Sequence, residues 1–146
     1  MSESTPELNA AQAALAAEHA AVYGYGVVGA RIGEERGAEA REALTAHRSR
    51  RDLLHRAVRD LGGAPVASAA GYALPFEVTD GASAVELAVE LETRLAGAYA
   101  DLVLASEGEA RRGAAAALRE TAVRAARWRG HGEPFPGLAE YAEEGR

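Results

Sequence analysis

The sequence predicts an all-α domain, a four-helix bundle with one long crossover between its second and third helices. Three observations carry this. Four segments show a helical period of apolar residues, none shows a convincing strand, and a stretch of about twenty residues without helical period falls between the second and third segments. With 146 residues the chain is one domain's worth, long enough to bury about two thirds of its unfolded surface around one core.

The first helix is expected over about 5–33. Ser4 and Glu7 have capping-box spacing and Pro6 suits a first turn. Its stripe runs Leu8, Ala11, Leu15, Glu18, Val22, Tyr25, Gly29 and Ile32, so a carboxylate interrupts an apolar seam. The second, about 38–61, follows the GEERG turn and stops at Gly62-Gly63, with seam Ala40, Leu44, His47, Arg51, Leu54, Val58 and Leu61. The third, about 81–106, has Ser83 and Glu86 as a second capping-box pair and a seam of Val85, Ala88, Glu92, Leu95, Tyr99 and Leu102. The fourth, about 109–130, is Ala-rich, with Ala114, Leu118, Thr121, Ala125 and Trp128 in line. Trp128 is its expected anchor, because it buries the most area.

The crossover, 62–80, needs to travel the length of helices that are about 36–42 Å long, and some twenty extended residues can do so. Tyr72, Leu74, Phe76 and Val78 alternate as a strap packing one face on helices would. Residues 131–146 carry Pro and Gly punctuation and no seam, and are expected to form a C-terminal strap docked by Phe135 and Leu138.

Composition narrows the function classes. Cysteine is absent, which excludes disulfides, thiolate metal sites and cysteine nucleophiles. The net charge of −6 speaks against a nucleic-acid partner. No apolar run is long enough to span a membrane, and MSESTPEL has neither a basic nor an apolar leader region, so a cytoplasmic location is expected. The basic residues are all arginine, and segment 109–130 is basic where 80–106 is acidic, which suits pairing between them.

Counting depth along the helices brings polar groups from all four to the centre of the core. His47 comes level with Glu92, Glu18 with Arg51, and Glu92 with Glu120-Thr121. Buried charge without a partner is costly, so these groups call for an account. One is a core polar network of Glu18, Arg51, His47, Glu92 and Arg124, needing no cofactor. The other is a metal site at Glu18, His47 and Glu92, with Glu120 as a further donor, holding iron or manganese. Di-metal bundles use one Glu from each of two helices and Glu-x-x-His from each of the others. Here Leu44 stands where the Glu before His47 would be, and Thr121-x-x-Arg124 replaces the second motif. Arginine cannot be a ligand, so one metal could be held but not an ordinary pair.

The stretches AEHAAVYGYGVVGAR, HRSRRDLL, GYALPFEV, LETRLAGAYADLV, RAARWRG and FPGL resemble a family of small ferritin-like domains of unknown function, found mostly in actinobacteria. The resemblance spans about 10–140 and implies the ferritin-like four-helix fold, with Glu18, His47 and Glu92 at positions matching ferritin ligands. It implies neither iron storage nor oxidase activity. By analogy it also implies a homodimer.

Gly24-Tyr25-Gly26-Val27-Val28-Gly29 has the spacing of a dinucleotide-binding turn but lacks the preceding strand and the later acid. Gly26, Gly29 and Gly33 instead share one stripe, where close approach of another element is expected. The arginines at 48–51 and 124–129 read as solvated faces, with an anionic ligand on Arg51 and Arg124 as the alternative. No nucleophile elbow is present. The chain thus reads as a ferritin-like bundle with a degraded di-metal site and a binding or structural role, or alternatively as an iron- or manganese-dependent oxidase with an atypical site.

Overall fold

A computed structural model describes residues 4–130 of the chain, which form four α-helices and no strand. The helices are α1 (Pro6–Arg31), α2 (Gly37–Asp60), α3 (Gly81–Ala105) and α4 (Gly108–Arg129). The expected docking of Phe135 and Leu138 lies outside the described residues.

Local chemistry fixes the ends. At α1 the cap is Thr5 and not Ser4: the Thr5 hydroxyl accepts from the Leu8 amide at 3.1 Å, with Pro6 in the first turn. Ser4 instead bonds the Asn9 side chain. At α3 the capping box is formed by Asp80 and Ser83, three residues earlier than the expected Ser83 and Glu86. The Ser83 amide donates to the Asp80 carboxylate at 2.8 Å, and the Ser83 hydroxyl accepts from the Asp80 amide at 3.1 Å. Those bonds hold the exposed Asp80 carboxyl below its usual range, the one from the Ser83 amide most strongly. Gly130 closes α4 in the left-handed conformation, φ 94°, which favours glycine.

Two apolar clusters give the helix directions. Leu8 and Leu15 of α1, Leu54 and Val58 of α2, Tyr99 and Leu102 of α3 and Ala114 of α4 form one. Tyr25, Val28 and Ile32, Ala40 and Ala43, Leu87 and Leu91, and Trp128 form the other. The start of α1 therefore meets the end of α2, the end of α3 and the start of α4, so α2 and α3 run the same way, opposite to α1 and α4. Between the clusters lie Glu18, His47, Glu92 and Thr121, all buried.

Close packing joins α1 to α2, α1 to α3, and α3 to α4, whereas α2 and α4 share no extended approach. The tightest point on α1 is Gly24, where a Cβ would lie 2.5 Å from Leu91 Cδ1. Gly26, Gly29 and Gly33 face open space, so the expected thinned stripe is corrected to this single glycine. The sharp bend after α1 accounts for Gly33, which has φ 84°.

The α2–α3 connection lies against one side of α1. Gln12 donates to the Ala64 carbonyl at 2.6 Å and accepts from the Val66 amide at 2.9 Å. His19 Nε2 donates to the Val66 carbonyl at 3.0 Å, and the Tyr23 and Tyr72 rings sit 5.6 Å apart. Val78 is buried in the second cluster, with Leu74 and Phe76 packed against it. No helix among the described residues is long and apolar enough to cross a membrane.

Candidate functional site

The layer between the two apolar clusters is built from one side chain of α2 and two of each flanking helix. His47 lies between two carboxylates. Its Nδ1 is 2.8 Å from Glu18 Oε2 on α1, and its Nε2 is 2.7 Å from Glu92 Oε1 on α3. Carboxylates only accept, so both ring nitrogens donate and the imidazole is the protonated form. Burial pulls the His47 pKa down, but the hydrogen bonds and charges of Glu18 and Glu92 outweigh it and hold the group up at about 9.

Each carboxylate takes a second donor from the opposite helix. Tyr99 of α3 donates to Glu18 Oε1 at 2.7 Å, and Tyr25 of α1 donates to Glu92 Oε1 at 2.6 Å. The two arms are equivalent in sequence: in each helix the Tyr stands seven residues after the Glu. Because α1 and α3 are antiparallel, each Tyr then meets the other helix's Glu, and His47 sits near the local axis relating the two arms. Burial, with the neighbouring carboxylate, pushes both phenols above their ordinary range, so they remain donors. Trp128 of α4 extends the Tyr25 arm, its indole donating to the Tyr25 hydroxyl at 3.1 Å. The Tyr25 ring also stacks on His47 with centroids 5.4 Å apart.

Charge nearly closes within the layer. Two glutamates face one imidazolium, and Arg124 Nη1 stands 3.6 Å from Glu92 Oε1, an ion pair too long for a hydrogen bond. Glu92 Oε2 is buried with no hydrogen-bond partner among the described residues.

Of the residues singled out in the sequence, Glu18, His47 and Glu92 come together, with Arg124 at their edge. Arg51 does not. It is half-buried and pairs with its neighbour Asp52 at 3.2 Å. The Glu18 oxygens are engaged by His47 and Tyr99 instead. Glu120 likewise leaves the core layer and pairs with Arg50 across α2 and α4 at 2.7 Å. What sequence reasoning missed is the pair of tyrosines, taken as apolar seam residues. The repeated Glu-to-Tyr spacing of seven on the two helices was the available signal.

For a metal the decisive point is where the three donors aim. Glu18 and Glu92 lie at opposite nitrogens of one imidazole ring, so the three do not converge on a common point. Among the described residues no group of three or more His, Asp or Glu is placed to hold an ion.

A second concave feature opens where α2 and α4 diverge. It is a cavity of about 250 Å³, walled by Leu53, Leu54 and Ala57 of α2, Ala114 of α4, and Leu102 and Tyr99 of α3. Tyr99 thus lines the cavity and also places its hydroxyl on Glu18.

Residues 10–140 match the family described as a domain of unknown function, DUF4439. The chain belongs to the DUF4439 family. The DUF4439 match takes in every residue of the polar layer and runs past the end of α4. A solved structure, the conserved hypothetical protein rv2844 from Mycobacterium tuberculosis, is similar at 38% identity and a TM-score of 0.83, covering 86% of this chain and 89% of that one. No curated protein matches this DUF4439 chain.

Proposed function

We propose that this chain is a ferritin-like bundle, its α2–α3 connection the ferritin-type crossover, with a binding or structural role and a proton in place of a metal at its centre. The single observation that carries this is His47 donating from both nitrogens to Glu18 and Glu92. In a metal-binding bundle a ring nitrogen must present a lone pair to the ion. Here each nitrogen is engaged by a carboxylate, so the imidazolium cross-links α1, α2 and α3 by charge. The cationic Arg124 beside Glu92 opposes a further cation. A cytoplasmic homodimer belongs to the same reading, with exposed Val123 and half-buried Leu118 on α4 as its apolar strip; sedimentation against concentration checks it.

One observation favours the second reading, an iron- or manganese-dependent oxidase: Glu92 Oε2 is a buried acceptor without a donor. A lone carboxylate oxygen is one ligand, and recruiting Glu18 or His47 would break the clamp. Metal analysis of protein purified without chelator, followed by calorimetric titration with Fe(II) and Mn(II), separates the two. The clamp reading expects no stoichiometric uptake, together with loss of stability in Glu18→Ala and Glu92→Ala. Tight stoichiometric binding that those substitutions abolish would overturn it.

A further inference from the structure

Small residues on α4 leave room beside α2. Ala110, Gly113 and Ala114 stand at i, i+3 and i+4 on the side of α4 that lines the cavity, and none has a side chain long enough to cross to α2. The space they leave is the cavity of about 250 Å³ described above. Its α2 wall runs from Arg50 to Leu61, about 16 Å at about 1.5 Å per residue, so the space is a slot and not a round pocket. Leu53, Leu54 and Leu61 line it from α2 and Leu102 from α3, with Leu53 49% exposed.

Size and shape limit what fits. An apolar cavity of about 150 Å³ takes a benzene-sized ligand, so by proportion this slot has room for about ten non-hydrogen atoms. Spread along its length, that many atoms make a single chain and not a fused ring.

Charge selects the head of such a chain. The two helices that wall the slot are the two with a net positive charge: α2 has six arginines against four acids, and α4 six against two. In α1 and α3 acids outnumber arginines. Arg50 lines the end of the slot nearer the clamp and engages Glu120 through Nε at 3.2 Å and Nη2 at 2.7 Å. Its Nη1 makes no hydrogen bond among the described residues, and the guanidinium is partly exposed, so it can take an anion without burying a charge. Glu7 lines the other end, where the start of α1 meets the end of α2, and it repels a carboxylate there.

We propose that the α2–α4 slot binds a medium-chain aliphatic carboxylate, its alkyl chain along Leu53, Leu54 and Leu61 and its head on Arg50 Nη1. An apolar channel with one polar group at a defined end is the usual form of a small-molecule site, the chain giving affinity and the head orientation. The bound chain also covers the exposed Leu53.

Calorimetric titration of the full-length natural chain tests this, with hexanoate, octanoate, octan-1-ol and octylammonium as probes, each below its micellar concentration. Octanoate is expected to bind one per chain, about tenfold tighter than hexanoate for two further buried methylenes, and tighter than octylammonium. Arg50→Gln should weaken octanoate about fivefold or more and leave octan-1-ol unchanged. Leu53→Glu, which puts a carboxylate on the slot wall, should abolish octanoate binding. Both positions lie outside the clamp and are partly or well exposed, and circular dichroism confirms that the variants keep the natural fold. No stoichiometric octanoate binding, octylammonium bound as tightly as octanoate, or an octanoate affinity unmoved by Leu53→Glu would each overturn the proposal. Metal analysis decides the clamp and these titrations decide the slot, so either can fail alone.

Discussion

His47 is the residue on which the central layer depends, since among the described residues it alone hydrogen-bonds both Glu18 and Glu92. His47→Ala leaves two buried carboxylates without their shared counter-charge, and breaking a buried pair in this way costs about 3–5 kcal/mol. Denaturant unfolding of the variant at neutral pH should show a loss of that size; a loss below about 1 kcal/mol would mean that the glutamates find other partners. Tyr99→Phe removes one donor and leaves Glu18 Oε1 unsatisfied, for an expected loss of about 1–3 kcal/mol by the same measurement. Glu18, His47 and Glu92 were legible in the sequence because ionisable groups in an apolar seam stand out. The tyrosines were not, because a phenol in a seam looks apolar until the helix opposite is known. The expected Glu18–Arg51 pair failed for a related reason: depth along a helix can be counted, but which neighbour takes a carboxylate's lone pairs depends on rotation about the axis.

At the scale of elements, the four helices were legible from periodicity and from the breaks at Gly62-Gly63 and Gly130. Their caps were less so: Ser4 and Thr5 are adjacent candidates for the same orphan amides, and at α3 Ser83 turns out to be the inner partner of a box whose cap is Asp80. The glycines of α1 illustrate the same limit. Three were expected to thin one face, but only Gly24 meets a neighbour, Leu91, whose Cγ as well as both methyl carbons would lie within 3.2 Å of a new Cβ. Leu91 is itself in the core, so it has little room to yield. Gly24→Ala is therefore expected to cost about 1–3 kcal/mol through overpacking. Gly26→Ala, with open space around it, should stabilise by roughly 0.5–1 kcal/mol through helix propensity. Thermal unfolding of the two variants side by side checks both signs, and a stabilising Gly24→Ala would show that the α1–α3 seam is looser than its geometry.

Over the whole molecule the clamp and its extensions tie all four helices into one hydrogen-bonded layer, α4 through Trp128 and Tyr25. Protonation of one residue should therefore appear in global stability. Folding raises the His47 pKa from its ordinary 6.5 to about 9, so the folded state holds the proton more tightly than the unfolded chain. Its contribution is fully present below pH 6.5 and is lost as the pH rises through about 9. Alkaline loss in that window runs opposite to acid unfolding, where protonating paired carboxylates is the usual cause. Unfolding free energy measured from pH 6 to pH 9.5 should fall by a few kcal/mol in the natural chain. His47→Gln lacks the titrating proton, so it should be less stable at pH 6 yet nearly flat across the same range, which removes any share due to other groups. A flat profile in the natural chain, or an equal fall in the variant, would place the stabilising charge of the core somewhere other than on His47.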